Sequence, residues 1–528
     1  MLNIKQEEFE KLYELLFFNL TKNVFLKINK KNIQFNMSKQ QKDTYSTIKI
    51  PVEYGSTEDR MLISDLQRQQ THIIRSSFKK YEEGLSVKFN SFDNYNDIDH
   101  LDSWLKNSAI KEGKSIYETE KELQKSSEKK IRTCFGGKSL MNDYRSGKVS
   151  KDELRACRLS PLVSIGTADS GTTRRFGNRK FRLLDDLSGV IILIHGKNRI
   201  TVKFSARLSK NYLKIIRLLY EHQVAGDMPI TYKIDANFVY ISYKVKELYK
   251  NVKVVNRPKQ IQDRVLAIDL NPNYVGWSVV DWKPHGDFHI VKSGTITIKD
   301  LNDAEYAMKR QHLPSSHRKR KKITNERHNE IFLISKTLIS TAVHYGCSMF
   351  GYEQLAIETK DNKKGTNFNR LINNQWLRRP LIDNIRKNCA KYNIECLEVL
   401  CQYSSFVGNF VFRDCGFPDM CLASIEIGRR TYEYYHQYIA NDFAKTKNIL
   451  FPNVNDFRER IERTMEVFNL KDSEIDLRKF YYALKADPKM MYRVPLSACQ
   501  TVVSKLLSNR IYAKKISFKK NNLAQNDT

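Results

Sequence analysis

The chain has 528 residues, too many for one ordinary hydrophobic core, so we expect two to four domains. Lys and Arg number 90 against 59 Asp and Glu, which leaves a formal net charge of +31. Such an excess repels itself unless a polyanion neutralises it; nucleic acid is the first expectation and an anionic membrane surface the second. No apolar run approaches the ~20 residues of a spanning helix, which argues against a membrane protein.

The cysteines and the N-terminus indicate the compartment. Nine cysteines are scattered along the chain without any C-x-x-C pair, a spacing that argues against a disulfide framework and against a zinc ribbon. The first residues, MLNIKQEEFEKLYELLFFNL, place acids among apolar positions and are typical of an amphipathic helix rather than of a secretion signal. We therefore expect a reduced, intracellular protein of the cytoplasm that binds no zinc.

The N-terminal half combines strand-like and helical patterns. Residues 1–55 include a strand-like piece, STIKIPV, and residues 56–165 are mostly helical in their apolar spacing. Residues 166–262 contain β-branched and aromatic runs separated by turns, with a helix predicted at 211–223. This order predicts a small antiparallel barrel or sheet into which a helical lobe is inserted.

One loop of this half and one later tryptophan are candidates for contacts with nucleic acid. The stretch GTADSGTTRRFGNRKF is rich in Gly, Ser and Thr, and it contributes Arg174, Arg175 and Lys180. Trp376, in NNQWLRRP, could stack on a base. A lone Trp in an amphipathic helix is more often part of the core, so both interpretations of Trp376 stay open.

A second basic segment, HRKRKK at 317–322, precedes a helix predicted at 325–345. One interpretation is a solvated surface charge run. The other is a phosphate clamp, for which Arg318, Arg320 and Arg327 are the strongest candidates.

The pattern changes in the C-terminal half. Strand-like runs VLAID, YVGWSVV and FHIVKSGTITI are followed by the basic segment, a long helix and a short apolar strand, SMFGYEQL. Strand–strand–strand–helix–strand is the opening order of a ribonuclease H-like fold. We predict an RNase H-like α/β domain at 263–445 and a helical, basic extension at 446–528, which makes the whole chain a multidomain α+β protein.

Three acids occupy positions where such a fold would bring them together. Asp269 ends the first strand, Glu353 lies in the fourth strand 84 residues later, and Asp419 opens a later helix. Three carboxylates in one pocket can hold two divalent ions, and Mg²⁺ prefers such oxygen ligands, with Mn²⁺ as a substitute. Any one acid is more often a cap or a salt-bridge partner. Glu426 and Asp414 are weaker candidates for the third position.

Three ordered segments resemble the RuvC-type nuclease motifs of the transposon-encoded TnpB family and of compact type V CRISPR effectors. AIDLNPNYVGWSVV is similar to the first motif, with Asp269 at the catalytic aspartate. MFGYEQLAI is similar to the second, with Glu353 at the catalytic glutamate. A segment containing FPDMCLASIEIGRR is similar to a variant of the third, with Asp419 at the last aspartate. The resemblance is strongest over residues 265–435.

The resemblance implies an RNA-guided DNA endonuclease. In this class a guide RNA pairs with one strand of a double-stranded DNA target, and a single RuvC-like site hydrolyses phosphodiester bonds with two Mg²⁺ ions. It also implies a wedge-like β-barrel and a helical recognition lobe in the N-terminal half, and we favour a monomer. Many members carry paired zinc motifs between the second and third segments, whereas here only Cys401 and Cys415 lie near that place.

Two alternatives stay open. One is an RNA-guided DNA-binding protein that does not cut, and the other is a guide-free RNase H-like resolvase or transposase. All three acids are present in this sequence, which favours cleavage because degenerate relatives usually lose one of them.

Overall fold

The computed structural model describes residues 44–88, 92, 101–125, 133–167, 177–194, 199–205, 207–250, 252, 258–313, 317–355, 378–439, 449–467 and 477. The predictions for Arg174, Arg175 and Trp376, and most of those for the two termini, lie outside these residues. The described residues belong to one compact unit, Asp43–Tyr435 with Asn448–Thr528, except 436–439, which fall in a second unit, Met1–Lys42 with His436–Lys447. The domain boundaries given above stay predictions.

An antiparallel sheet of seven strands organises the N-terminal half. Its strands are β1 (Tyr45–Tyr54), β2 (Leu162–Ser164), β3 (Phe181–Leu183), β4 (Gly189–Leu193), β5 (Arg199–Phe204), β6 (Ile230–Ile234) and β7 (Phe238–Lys244). They are ordered β2-β6-β7-β1-β5-β4-β3, with the long strand β1 pairing β7 in its first part and β5 at its end. Since β2 and β3 lie at opposite ends of this order and do not pair among the described residues, the predicted barrel closure is not confirmed.

Six helices accompany this sheet among the described residues. In the described N-terminal residues they are α1 (Thr57–Glu82), α2 (Ser103–Lys125), α3 (Lys138–Arg145), α4 (Lys151–Cys157), α5 (Lys210–Ala225) and α6 (Val245–Leu248). Ser56 caps α1, since its side chain accepts a 3.0 Å hydrogen bond from the Asp59 amide. The buried Gln70 of α1 donates to the carbonyl oxygens of Leu105 and Val163, at 3.0 and 2.8 Å. These bonds tie α1 to α2 and to the sheet.

A five-stranded mixed sheet organises the C-terminal half. Its strands are β8 (Ile261–Leu270), β9 (Tyr274–Trp282), β10 (Phe288–Thr297), β11 (Cys347–Gln354) and β12 (Glu395–Leu400). Their order is β10-β9-β8-β11-β12; β8, β9 and β10 pair antiparallel, and β11 is parallel to both β8 and β12. The three predicted strands and the later fourth strand are confirmed, but two helices, Lys299–Arg310 and Arg318–His344, lie between β10 and β11 where one was predicted.

Helices connect and follow these strands. Described are α7 (Lys299–Arg310), α8 (Arg318–His344), α9 (Arg378–Lys391), α10 (Ser404–Val411), α11 (Asp419–Tyr434) and α12 (Arg458–Val467), with 3₁₀ turns Pro284–Gly286, Arg413–Cys415 and Val454–Phe457 and a π-helical turn Tyr435–Ile439. Helix α8 begins earlier than predicted, so the basic run lies in its first turns. Lys and Arg are good helix formers when their charges stay solvated. None of the described helices is long and apolar enough to cross a bilayer.

The five-stranded sheet buries a different apolar layer on each face. Leu266 and Ile268 of β8 pack with residues of α8 and α9, whereas Val265 and Ala267 pack with residues of α10 and α11. This separation follows from the alternation of side chains along a strand. Asp269 continues the alternation on the side of α11.

Candidate carboxylate site

Asp269 and Glu353 lie side by side on adjacent parallel strands. The register pairs Ile268 of β8 with Tyr352 of β11, so the next residue of each strand is one of the two acids. Both are buried, with 5% and 4% of their surface exposed. Their carboxyl groups are hydrogen-bonded to each other. The structure thus brings into direct contact two acids that are 84 residues apart in the sequence.

Burial raises the pKa of the Asp269 carboxyl well above its ordinary value. The charge of Glu353 and the hydrogen bond with it raise this pKa further, as does the charge of Asp419. A 2.7 Å hydrogen bond from Asn271 Nδ2 to Asp269 Oδ2 acts in the opposite direction. Without a cation, Asp269 is therefore the carboxyl of the pair that retains a proton most readily.

Burial is also the largest influence on Glu353 and raises its pKa. The hydrogen bond with Asp269 lowers this pKa, as does a 3.1 Å bond that the Ser404 hydroxyl donates to Oε1. The positive charges of Arg430 and Arg378 lower it as well. Glu353 is accordingly the more readily ionised member of the pair.

Asp419 is the first residue of helix α11, and its negative charge raises the pKa of Asp269. Burial raises the pKa of Asp419, while the side-chain amide of Asn409, which donates to Oδ1, lowers it. The close approach of α11 depends on Gly276, which pairs with Asp269 across β8 and β9. A Cβ built on Gly276 would lie 2.3 Å from the carbonyl oxygen of Met420. Only glycine allows the first turn of the helix to lie this close to the strand.

The two weaker candidates have other partners. Glu426 is fully buried and accepts hydrogen bonds from Arg429 Nη2 and Arg430 Nε, at 2.6 and 2.7 Å. Asp414 is exposed and forms a 2.6 Å ion pair with Arg460 of α12. Of the three acids considered for the third position, Asp419 is therefore the one whose charge raises the pKa of Asp269.

Sequence reasoning missed Arg430. Its Nη1 donates to the carbonyl oxygens of Leu400 and Gln402, at 2.6 and 2.8 Å, and its Nη2 donates to that of Leu450 at 2.9 Å. These bonds hold the turn between β12 and α10, which carries Ser404. The one signal in the sequence was a pair of arginines in the apolar helix segment SIEIGRR.

The donor set suits a hard divalent cation. All three candidate ligands are carboxyl oxygens, and a cation beside Asp269 and Glu353 would neutralise both. Across the described ranges, no group of three or more His, Cys, Asp or Glu side chains is arranged so that it could already hold an ion. Asp419 would therefore have to exchange its bond with Asn409 for a cation. Carboxyl oxygens are the donors that Mg²⁺ prefers, so the chemistry of these residues suits this ion, while their present arrangement is not that of a formed ion site.

The basic candidates divide into exposed and internal side chains. Arg318 is exposed in the first turn of α8, and Arg320 Nη1 donates a 2.7 Å bond to the Leu313 carbonyl oxygen. Lys180 forms an ion pair with Asp102. Arg318 is thus the candidate of this group that is most open to a phosphate.

Arg327 has an internal position. It is 5% exposed, forms an ion pair with Glu305 and donates a 2.9 Å hydrogen bond from Nη2 to Asn302 Oδ1. Asn302 in turn donates to the Pro272 carbonyl oxygen at 2.8 Å, directly after β8. We therefore correct the prediction of a phosphate contact at Arg327, because its guanidinium links α8 to α7 and to the turn that follows Asp269.

No protein-family model matches this chain, and neither does any curated protein. Among solved structures, it is similar to a Cas12f1–sgRNA–target DNA complex, with 12% identity, coverage of 71% of this chain and 83% of that chain, and a TM-score of 0.40. A CRISPR-Cas12f ternary complex has 12% sequence identity, with coverage of 80% of this chain and 83% of that chain, and a TM-score of 0.24. A Cas12i–crRNA–dsDNA complex has 10% sequence identity, with coverage of 74% of this chain and 66% of that chain, and a TM-score of 0.25. These neighbours are of the effector class that the sequence motifs resemble.

Proposed function

We propose that this chain is an RNA-guided DNA endonuclease that hydrolyses phosphodiester bonds at the carboxylate site. The observation that carries the proposal is the contact between the buried carboxyls of Asp269 and Glu353, with Asp419 in electrostatic reach. Burying two acids against each other costs stability unless a cation compensates them. Such clusters occur where function requires them.

The strand order supports an RNase H-like assignment of the RuvC type. Three antiparallel strands followed by two parallel ones, in the order β10-β9-β8-β11-β12, is the arrangement expected of that fold. Acids near the ends of β8 and β11 and at the start of α11 support the assignment of Asp269, Glu353 and Asp419 to the three motif positions. We assign the seven-stranded sheet to a wedge-like domain and helices α1–α4 to a recognition lobe.

The residues of the site divide into metal ligands and residues that orient those ligands. Two bound Mg²⁺ ions would activate a water molecule and stabilise the leaving oxygen of the phosphodiester. Asp269 and Glu353 present ligand oxygens from rigid strands, which keeps their positions fixed. Ser404 and Asn271 orient these carboxyls through the hydrogen bonds described above. Asp419 completes the donor set from the helix, and no side chain forms a covalent bond to the substrate.

The charge of the chain supports its proposed partners. A net charge of +31 suits a protein that holds a structured RNA and a DNA duplex through many phosphate contacts. In the proposed mechanism, a guide RNA supplies sequence recognition by base pairing, and double-stranded DNA is the substrate. We propose a monomer that binds two Mg²⁺ ions, with Mn²⁺ as a substitute, and no zinc.

The test begins with RNA that co-purifies with the protein. This RNA is sequenced and added as the guide to a labelled DNA target in the presence of Mg²⁺. We expect the wild type to cut the target, and we expect Asp269→Ala to bind it without cutting. A wild-type protein that binds and leaves the target intact would support the alternative without cleavage. Cutting by a preparation that contains no RNA would support a guide-free resolvase or transposase.

A further inference from the structure

A groove lies between strands β9 and β10 and helix α8. Its volume is about 550 Å³, within the range of roughly 300–1,000 Å³ that is usual for ligand sites. Its lining includes Trp277, Lys292, Lys336, Thr337, Ser340 and Thr341. We call this feature the Trp277 groove.

The Trp277 groove and the three acids lie on opposite faces of the five-stranded sheet. Gly276 contacts Met420 of α11, which covers the face that carries Asp269. The next side chain, Trp277, points to the other face and packs with the apolar layer of α8 and α9. A molecule in this groove is therefore separated from the carboxylate site by the thickness of the sheet.

The indole of Trp277 lies against the backbone of its cross-strand neighbour, Gly294. A Cβ built on Gly294 would lie 2.9 to 3.1 Å from three atoms of the indole, so the ring is in contact with the glycine. Trp277 is only partly buried, and its remaining surface lines the groove. A ring that is held against backbone and still exposes part of its surface to a groove can serve as a platform on which a planar group stacks.

Two lysines supply positive charge to the groove. Lys292 comes from β10 and Lys336 from α8, and both are exposed. Neither ammonium group has a side-chain partner within the described part of the chain. Thr337, Ser340 and Thr341 line the α8 side. An aromatic platform with cations on both walls is the combination that binds single-stranded nucleic acid, because bases stack and phosphates pair with the cations.

We propose that the Trp277 groove binds single-stranded nucleic acid, with one base on the indole and the neighbouring phosphates at Lys292 and Lys336. The groove is a second contact site, because the sheet keeps a strand bound here away from the carboxyls. The proposal stands apart from the catalytic assignment: it requires neither a cation at Asp269 nor cleavage.

The test uses RNA-free protein in EDTA with single-stranded decamers of deoxythymidine and of uridine, whose comparison distinguishes DNA from RNA. One 5-iodouracil in each decamer allows photochemical cross-linking, and mass spectrometry locates the cross-link. We expect cross-linking at Trp277 and quenching of tryptophan fluorescence that Trp277→Phe removes. Trp277→Ala should weaken decamer binding roughly 5- to 150-fold, the effect of losing one stacked base. Trp277→Phe, which keeps an aromatic ring, should lose less affinity.

A pair of double variants tests the cations. Lys292→Glu with Lys336→Glu should weaken binding at least tenfold more than Lys111→Glu with Lys283→Glu, which changes the net charge equally at exposed positions outside the groove. Circular dichroism confirms that each variant is folded. Equal effects of the two double variants, or cross-links that do not include Trp277, would overturn the proposal.

The outcome is separable from that of the proposed function. Asp269→Ala should keep the cross-link at Trp277 while it loses cleavage. Cross-linking at Trp277 in a protein that never cuts DNA would support the groove and reject the nuclease. Cleavage by a protein without that cross-link would do the reverse.

Discussion

Arg430 donates a 2.7 Å hydrogen bond from Nε to Glu426 Oε1, and both side chains are completely buried. The same guanidinium holds the carbonyl oxygens of Leu400 and Gln402. Helix α11 is thereby fastened to the turn that places Ser404 against Glu353. The ion pair thus serves the fold and the position of a candidate ligand at once.

Glu426→Gln should destabilise the protein strongly, by about 3–5 kcal/mol, because it leaves two buried guanidinium groups without their shared counter-charge. Urea unfolding measures the change in the free energy of unfolding. Glu459→Gln is the control, since its pair with Arg463 is exposed and should contribute about 0–1 kcal/mol. Equal decreases in the free energy of unfolding of the two variants would show that the buried ion pair contributes no more to stability than the exposed one.

Gly276→Ala should impair cleavage at least tenfold, because the added Cβ would meet the Met420 carbonyl oxygen and displace the helix that begins with Asp419. The single-turnover rate with a bound guide and target measures the effect, and target binding should stay near the wild-type level. Gly55→Ala is the matched control, since its Cβ would meet only the Asp59 side chain, at 3.6 Å. Unchanged cutting by Gly276→Ala would exclude a role for the close approach.

Mg²⁺ should stabilise the wild type by about 2.7 kcal/mol at a concentration one hundred times its Kd. Asp269→Asn and Glu353→Gln should lose most of this effect, which thermal unfolding with and without EDTA detects. A surface variant such as Asp414→Asn, outside the carboxylate site, should keep it. A Mg²⁺ effect of equal size in all four proteins would place the cation elsewhere.

The stabilisation by Mg²⁺ should also depend on pH. The pKa of Asp269 in the metal-free fold is raised, chiefly by burial, so folding takes up a proton between the ordinary and the raised value. In that window the metal-free protein becomes more stable as pH falls and loses this stability as pH rises through the folded pKa. Mg²⁺ competes with the same proton, so its stabilising effect should grow from mildly acidic to mildly alkaline pH. An effect that shrinks over this range would contradict the assignment.

Substitutions of two arginines of helix α8 should have different effects, one on nucleic-acid binding and the other on the free energy of unfolding. Arg318→Ala should weaken nucleic-acid binding and leave the unfolding transition unchanged, because the side chain is exposed. Arg327→Ala should lower stability by several kcal/mol, since it leaves Glu305 buried without its counter-ion. Anisotropy and urea unfolding of both variants measure the two effects. The reverse pattern would restore Arg327 as the phosphate contact.

Binding of the guide and target should fall steeply with salt. A protein that neutralises roughly six to ten phosphates loses about 10³- to 10⁵-fold in affinity between about 50 and 200 mM salt. A titration of affinity against salt concentration measures the slope. A flat response would remove the phosphate contacts on which the proposed partners depend.

Local patterns in the sequence predicted much of the C-terminal half. Apolar runs bounded by turn residues predicted strands β8, β9 and β10, and the acids at 269, 353 and 419 were chosen from their places in that element order and from the motifs that the sequence resembles. These features depend on neighbours within a few positions, so the sequence contains the information directly.

Local patterns were therefore enough to predict the strands of the C-terminal half, the excess of positive charge and the candidate acids. The packing of distant elements was needed to establish that Asp269 contacts Glu353, that Glu426 pairs with arginines instead, and that Arg327 is buried while Arg318 is exposed. The strand pairing likewise places β2 and β3 at opposite ends of the seven-stranded order, with no pairing between them among the described residues. These outcomes depend on pairing and burial between residues far apart in the chain, and the energy of such contacts has no signature in local spacing.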